Sequence, residues 1–475
     1  MLCVTVTPKS RTLAKVDILN AQARGDIVEV ALDNLVKDPD FTDLMEGASK
    51  PILFSCRRRE EGGSFKGSEE ERIQLLKRAI VAKPDYIELD QSAAAQIKRF
   101  GQTKRVISFC SLSRPESRPG ELIDEAKLVD GDIVKFVWPT PTLDDAWPLL
   151  QLTVSKTKLP VVGLGIGRPG LTFSLLAHRH GAPWVYAALE PGMETYDGQA
   201  TVDDLVETHL IRGIDEKTAF IAVTGVTDGA IRAARAMNHT FEASGVNARC
   251  LPLEARDPSQ LTQRLEKLKI KTILPVGGDA AALSGAVAEG ETDSPDVMLH
   301  KKGTWKGYAT LDRAALRELK KTYEPDWPRA NVLVLGLTRL AQAIARDLAG
   351  EGAMVSLCGT DERATEALAQ QLGCRSIPLR QLYNTLADVI VIADPDLVAG
   401  TGRTEINPGY FRPNMTVLDV SSLPDLHPLG EEATGRGAKV VPPGAIYAKH
   451  LDAVLKTLTG GGLDEGAKDE LAAST

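Results

Sequence analysis

The chain has 475 residues, 43% hydrophobic and 25% charged, with a formal net charge of -8. That length exceeds what one hydrophobic core serves, so two or three domains are expected. The acidic balance gives no electrostatic reason to bind nucleic acid or an anionic membrane. Six scattered cysteines form no CxxC pair, and the N-terminus lacks the charged-then-apolar layout of a secretory signal. No apolar run approaches the ~20 residues needed to cross a bilayer, and the seven histidines fall in no metal-ligand spacing. A cytoplasmic protein with reduced thiols and no metal is expected, with a small molecule as its partner and a homodimer left open.

Taken in chain order, short apolar runs alternate with longer amphipathic stretches. The strand candidates are Leu2–Thr7, Ile27–Leu32, Ile52–Cys56, Tyr86–Leu89, Val106–Cys110, Ile133–Val137, Leu159–Gly163 and Trp184–Ala187. Helical patterns lie between them at Glu69–Val81, Gly120–Leu128 and Leu143–Thr153, with another opening near Gly170 and a last one over Val202–Ile211. Eight β/α units in roughly 210 residues is the arithmetic of a (β/α)8 TIM barrel, whose chemistry sits at the C-terminal ends of the strands. By register Glu29, Arg57, Cys110 and Lys135 fall there.

A fresh β/α alternation starts at Phe220, and another at Asn331 after a polar stretch from Glu289 to Lys306. The expected division is a barrel over 1–213, an α/β lobe over 214–325, a Rossmann-type lobe over 326–460 and a disordered Gly-rich, acidic tail over 461–475.

Lys135 is the most informative single residue. It sits inside Ile133-Val134-Lys135-Phe136-Val137, where every neighbour prefers to be out of water. A lysine there either snorkels to solvent from the strand's end, pairs with a carboxylate, or loses its proton and becomes a nucleophilic amine able to condense with a ketone.

The segments around it resemble the type I 3-dehydroquinate dehydratases. Cys56-Arg57-Arg58-Arg59-Glu60-Glu61-Gly62-Gly63 is similar to that family's Arg-x-x-x-Glu-Gly-Gly segment. Val28-Glu29-Val30-Ala31-Leu32-Asp33 looks like its Glu-x-Arg-x-Asp strand, Asp85-Tyr86-Ile87-Glu88 like the next strand, and Asp132-Ile133-Val134-Lys135 like the Schiff-base segment. Gly198-Gln199 is similar to its substrate-closing loop, with Thr195 where the family has serine. The resemblance implies dehydration of 3-dehydroquinate to 3-dehydroshikimate without a cofactor. Lys135 would be the imine nucleophile, and Glu29, Arg57, Glu61, Thr195 and Gln199 would hold the substrate.

The pattern departs from the family at three places. Cys110 stands where the family's histidine base belongs, and it reads either as a thiolate base or as a small buried hydrophobe. Ala31 replaces a strand arginine. Ser174 falls where a carboxylate-binding arginine is expected, and Arg168, from a nearby turn, is the candidate to supply that charge.

After residue 214 the order of segments resembles shikimate dehydrogenase, and the whole is similar to the bifunctional fusions of the shikimate pathway. Lys306-Gly307-Tyr308-Ala309-Thr310-Leu311-Asp312 looks like that family's Gly-x-Asn-Thr-Asp segment, and Ala387–Pro395 like its Asp-x-x-Ile-Asn-x-Thr-Pro strand. Ala309 and Leu311 replace the asparagine and acid, and neither the catalytic lysine of the family's Asn-Val-Thr-x-Pro-x-Lys segment, here Lys271–Gly278, nor a Ser-x-Ser-Pro grip within Gly225–Ala230 is found. Of the dinucleotide fingerprint only Gly336 remains, with Arg339 as a nearby charge, so NAD or NADP would rest on those two residues, NAD being favoured by the acids of Asp361-Glu362. The reading that competes with an active dehydratase is an inactive paralogue retained as a binding or regulatory scaffold.

Overall fold

A computed structural model describes the chain except residues 225–227, 255–257, 276–282, 284–288, 291–294, 325, 395–405, 422, 424–427 and 474–475. The described residues fall into two compact units, one of 1–226 with 247–270 and one of 227–246 with 271–475. Among them no helix is long and apolar enough to cross a membrane.

The first unit holds eight parallel strands: β1 (Leu2–Val6), β2 (Ile27–Ala31), β3 (Ile52–Ser55), β4 (Tyr86–Asp90), β5 (Lys104–Cys110), β6 (Ile133–Pro139), β7 (Val161–Ile166) and β8 (Val185–Ala188). Their ladder runs β7-β6-β5-β4-β3-β2-β1-β8, the order of a nearly closed (β/α)8 barrel. Strands that carry helices outside and a packed lumen inside are buried on both faces, and β1, β2 and β3 are buried throughout. The lumen is filled by Cys3, Ile27, Leu53, Val106, Val162, Trp184 and Tyr186, among others.

Local chemistry sets the outer helices. The helix Glu69–Val81 opens with a reciprocal capping box, the Ser68 hydroxyl accepting from Glu71 N and the Glu71 carboxylate from Ser68 N. Its buried Arg72 binds Asp90, the last residue of β4, at 2.5 Å, so this helix is tied to the strand end by an ion pair as well as by packing.

Three expectations change. The seventh strand lies two to three residues later than the apolar run indicated, at Val161–Ile166. The stretch Val202–Ile211 is no α-helix but a wide turn of π type over Asp203–Thr208. The tail, expected to be disordered, is helical over Glu465–Ala473, because Ala467 and Leu471 give it a buried face. It packs so closely on the helix Pro443–Thr459 that a Cβ at Gly444 would collide with the Leu471 carbonyl.

The first unit also contains β9 (Ala219–Thr224) and β10 (Ala248–Leu253), paired in parallel. Thr172 donates to the Pro252 carbonyl, and Arg264 pairs with Asp144 at 2.7 Å, tying this pair of strands and the helix that follows β10 to the barrel's outer helices.

In the second unit, β11 (Thr272–Leu274) runs antiparallel to β13 (Val297–Lys301), which forms a hairpin with β14 (Thr304–Tyr308); β12 (Glu289–Gly290) lies parallel to β14. The remaining strands are β15 (Asn331–Leu335), β16 (Met354–Cys358), β17 (Arg375–Ser376), β18 (Val389–Ile392), β19 (Thr416–Asp419) and β20 (Lys439–Val441). They form an all-parallel sheet in the order β17-β16-β15-β18-β19-β20. Counted within the lobe that order is 3-2-1-4-5-6, the doubly wound Rossmann arrangement, with its topological switch between β15 and β18.

Candidate active site

Each even-numbered strand of the barrel sends one side chain to the same level of the lumen: Glu29 from β2, Glu88 from β4, Lys135 from β6 and Tyr186 from β8. Alternate strands of a (β/α)8 barrel supply such four-membered layers, and they are ordinarily apolar. Here Lys135 Nζ donates to Glu88 Oε2 at 2.7 Å, lies 3.6 Å from Glu29 Oε1 and stands 4.3 Å from the centre of the Tyr186 ring. With 1% of its surface exposed, Lys135 does not snorkel.

Burial works against the ammonium, but Glu29 and Glu88 outweigh it and hold the Lys135 pKa above its ordinary value. The two carboxyls are unequal. Burial pushes Glu29 up, yet Lys135, the Thr5 hydroxyl that donates to it at 2.7 Å, and Arg57 bring it below the usual carboxylate range. Glu88 is pushed above that range by burial and by Glu29, which together exceed the pull of Lys135. The layer therefore sets one ammonium between two carboxyl groups of unequal proton affinity, the tighter-holding one, Glu88, in direct hydrogen bond with the amine.

Above this layer the mouth is closed by three loops. Arg57, two residues beyond β3, pairs with Asp33 at 3.0 Å, donates to the Thr195 carbonyl at 3.0 Å and lies over the Tyr196 ring. Asp33 also accepts from Ser64 N at 2.9 Å, so one carboxylate fastens both arms of the β3 loop. Gly63 serves the same loop, since a Cβ there would strike the Arg57 backbone. Glu61 pairs with its neighbour Arg58 at 2.8 Å. Gln199 accepts from both the amide (2.9 Å) and the hydroxyl (2.7 Å) of Thr195, which draws the β8 loop into a tight turn.

Tyr196 is the innermost residue of that turn. Its hydroxyl lies 3.6 Å from Cys110 Sγ, and a Cβ on Gly62 would come within 3.2 Å of its ring. It is 7% exposed, so the phenol fills the space over Cys110 between the β3 and β5 ends. A cavity of about 730 Å³ opens beside the mouth, bordered by Lys9, Asn34, Phe65 and Lys66, and Lys135 is not part of its wall.

Cys110 ends β5, and its thiol lies 3.7 Å from the Glu61 carbonyl. Burial pushes its pKa up to about 11, so its cationic neighbours do not generate a thiolate. Of its two sequence readings, the small buried hydrophobe fits this environment. Arg168 is exposed on the turn after β7, where its backbone lies against Gly198 of the β8 loop. Ser174 donates back to the Gly170 carbonyl at 3.2 Å within its own helix.

The structure thus brings Glu29, Arg57, Cys110, Lys135 and the Thr195–Gln199 turn to one end of the lumen, and leaves Arg168 at its rim. The sequence reading quoted Glu88 and Asp33 within family-like segments but gave them no role, and it passed over Thr5 and Tyr196. Glu88 carried the same signal that singled out Lys135, a charge within an apolar strand, and the two are each other's partners. Tyr196 carried none, because its role depends on how the loop folds back.

In the Rossmann lobe, the two candidate cofactor residues are engaged internally. Gly336 has φ +111°, and a Cβ there would lie 2.5 Å from the Asp394 side chain across the switch point, so glycine is required for packing. Leu337 lies against Gly359 at the end of β16, where a Cβ would meet it at 3.0 Å. Arg339 pairs with Asp296 at 3.2 Å and Asp312 at 3.6 Å. Asp296 also accepts from Thr310 N and Leu311 N, capping the helix Leu311–Thr322, while Thr310 Oγ1 lies 2.8 Å from His450 Nδ1. A leucine and a neutralised arginine do not fit a dinucleotide pyrophosphate, which needs glycines and free backbone amides. The segments Gly225–Thr227, Val276–Gly278 and Pro395 lie outside the described residues.

A parallel barrel that buries a lysine between two carboxylates on its axis defines the class of imine-forming barrel enzymes. Sequence similarity narrows the class. Residues 2–216 match the family Type I 3-dehydroquinase. The 3-dehydroquinate dehydratase of Methanococcus maripaludis is 31% identical over 217 residues, 44% of this chain and 97% of that protein. The chain belongs to the type I 3-dehydroquinase family. It is also similar nearly end to end to the chloroplastic bifunctional 3-dehydroquinate dehydratase/shikimate dehydrogenase of Arabidopsis thaliana, 24% identical with 97% of this chain and 82% of that one aligned. The solved dehydroquinate dehydratase and shikimate dehydrogenase of S. pombe covers 99% of this chain and 98% of its own at 15% identity and a TM-score of 0.42.

Proposed function

We propose that the barrel dehydrates 3-dehydroquinate to 3-dehydroshikimate through an imine on Lys135, as a shikimate-pathway lyase of the cytoplasm. The observation that carries this is the buried Lys135, held at 2.7 Å from Glu88 and 3.6 Å from Glu29 on the barrel axis. A lysine placed there has no packing advantage over a leucine. Its desolvation cost is offset only by carboxylates that are themselves buried, an arrangement that packed apolar side chains could replace without loss of stability. Its use is chemical: transfer of one ammonium proton to Glu88 yields the nucleophilic amine.

The substrate's carboxylate and hydroxyls would be met by Arg57, Arg168, Glu61, Thr195 and Gln199 once the β8 loop lifts. Residues 1–213 form the catalytic module in this reading. Residues 214–325 and 326–460 form a shikimate dehydrogenase-like module to which no hydride step is assigned, since Gly336, Leu337 and Arg339 do not fit NAD or NADP.

A second reading, an inactive scaffold that still recognises the ring, is favoured by one specific observation: the Tyr196 phenol packs against the Cys110 thiol at the mouth, and that thiol stays undissociated. Borohydride reduction in the presence of 3-dehydroquinate, followed by peptide mass mapping, separates the two. The proposal expects a stable adduct on Lys135 that is absent from Lys135→Ala; an unmodified Lys135 peptide favours the scaffold.

A further inference from the structure

We infer that the cavity beside the barrel mouth binds a small anion with an apolar ring, of the aryl carboxylate class, and that its occupant steadies the loop carrying Arg57. The site is separate from the lumen, since Lys135 is not part of its wall. It goes beyond the dehydratase reading and does not depend on it.

Every wall of this cavity belongs to the barrel. Lys9 comes from the turn after β1, residues 32–39 from the segment after β2, and residues 64–67 from the second arm of the β3 loop. The helix Glu69–Val81 closes the remaining side with Gln74, Leu75 and Arg78 among others. At about 730 Å³ the space is within the range of pockets that take a ring-sized ligand. Its lining is apolar at the base: Leu32 and Leu75 are buried, Leu35 and Phe65 are half-buried, and Val36 is 79% exposed. Apolar side chains left accessible together in a concave surface favour an occupant with an apolar body.

The charges on the wall differ in availability. Each acid is already engaged. Asp33 holds Arg57 at 3.0 Å, Asp38 holds Arg78 at 2.9 Å, and the Glu71 carboxylate accepts from Ser68 N at 2.7 Å. Glu70 is drawn below its ordinary pKa by its own backbone amide and by the Ser68 hydroxyl. The ammonium groups of Lys9, Lys37 and Lys66, by contrast, have no ion-pair or hydrogen-bond partner among the described residues. Three available cations above an apolar base, in a chain whose net charge is -8, reverse the molecule's field locally. They suit a carboxylate whose ring lies on Leu35 and Phe65. Because lysine presents a point charge rather than the planar fork of arginine, the anion is selected by charge and not by a fixed bidentate geometry.

Occupancy of the cavity bears on the mouth through Asp33. That carboxylate is on the cavity wall, and it binds Arg57 on one arm of the β3 loop and Ser64 N on the other, at 2.9 Å. The Phe65 carbonyl in turn accepts from Arg59 Nε at 3.1 Å. A ring resting on Ser64 and Phe65 excludes water from the Asp33–Ser64 hydrogen bond. The arm is then held where Asp33 also positions Arg57.

The test uses the full chain with naphthalene-2-carboxylate as the probe. Naphthalene-2-methanol serves as its uncharged counterpart, and inorganic phosphate as a charge without a ring. Calorimetry reads binding, and amide hydrogen exchange with peptide mass mapping reads the segment containing Ser64. The unmutated chain is expected to bind the carboxylate saturably and about tenfold more tightly than the alcohol, less so as salt is raised. Phosphate at equal concentration should not compete. Combining Lys9→Gln, Lys37→Gln and Lys66→Gln should weaken carboxylate binding about tenfold and leave the alcohol unaffected. A matched variant of exposed lysines that precede strands, Lys50→Gln with Lys98→Gln and Lys127→Gln, should bind as the unmutated chain does. Bound probe should slow exchange at Ser64 several-fold. The site is overturned by an absence of saturable binding, by equal affinity for carboxylate and alcohol, by equal loss in the two lysine variants, or by effective competition from phosphate. Binding with unchanged exchange at Ser64 overturns the link to the Arg57 loop. None of these readouts uses 3-dehydroquinate, so they are independent of whether the barrel dehydrates it.

Discussion

The barrel and the Rossmann lobe both bury charge, and they do so to opposite ends. In the lobe, Arg339 is matched by Asp296 and Asp312, and Asp296 spends its remaining capacity on the backbone amides of Thr310 and Leu311. The charge of Arg339 is matched by those two carboxylates, and the result is a structural joint. In the lumen one ammonium serves two carboxyls, so the negative charge that the pair can carry exceeds the one cation placed between them. Saturated networks hold a fold together; an unsaturated one keeps a proton available for chemistry.

The comparison is broken most severely at Lys135. Lys135→Ala should reduce turnover to background and, by leaving two carboxyls without their cation, cost about 3–5 kcal/mol of unfolding free energy near neutral pH. Urea titration checks this, and the loss should shrink in acid as the carboxyls protonate. A variant with full stability at pH 7 would mean that the charges are less desolvated than described.

Arg57→Ala should fall in the same range, about 3–5 kcal/mol, because Asp33 would remain fully buried with only amides to accept. It should also loosen the β3 loop at Ser64, which amide hydrogen exchange would show.

The unequal carboxyls give the pH dependence opposite slopes. Glu29, depressed in the fold, contributes stability that is present above its unfolded pKa and lost as pH falls through its folded value. Glu88, raised in the fold, contributes stability that is present below its ordinary value of 4.5 and lost as pH rises from there through its folded value. Glu88→Gln should therefore flatten the alkaline side of the stability profile and leave the acid side steep. Chemical denaturation at several pH values reads both limbs.

Tyr196→Ala tests the closed mouth. Removing the phenol should speed adduct formation on Lys135 several-fold while costing about 3 kcal/mol in packing. An unchanged trapping rate would show that the ketone reaches the lysine by another route. The smallest expected effect is Arg339→Ala: about 1.5–3 kcal/mol for the lost charged hydrogen bonds, with no change in dehydration and no NAD or NADP binding by calorimetry before or after. A dinucleotide signal in the unmutated chain would overturn the reading of that lobe as structural.

The architecture was legible because strand periodicity and connection length are local properties. Eight apolar runs at barrel spacing marked the eight strands to within a few residues, and the β/α alternation after Asn331 marked the doubly wound sheet. What escaped depended on long-range geometry. Lys135 stood out as a cation in an apolar run, but that its partner was Glu88, 47 residues away, required the barrel's even-strand layer. Cys110 read either as a thiolate base or as a buried hydrophobe, and only its burial in the folded barrel decides between them. The tail was misjudged because its glycines and acids mask Ala467 and Leu471, which find a buried face only against another helix. Gly336 was read as a remnant of a phosphate loop; its constraint is the close approach of Asp394.

The central claim is that this barrel acts on 3-dehydroquinate through Lys135. It is tested most directly by following the substrate's NMR signals in the presence of the full chain and of Lys135→Ala. The account predicts that 3-dehydroshikimate accumulates with the unmutated protein and not with the variant. No product from the unmutated chain, or equal product from both, would contradict it.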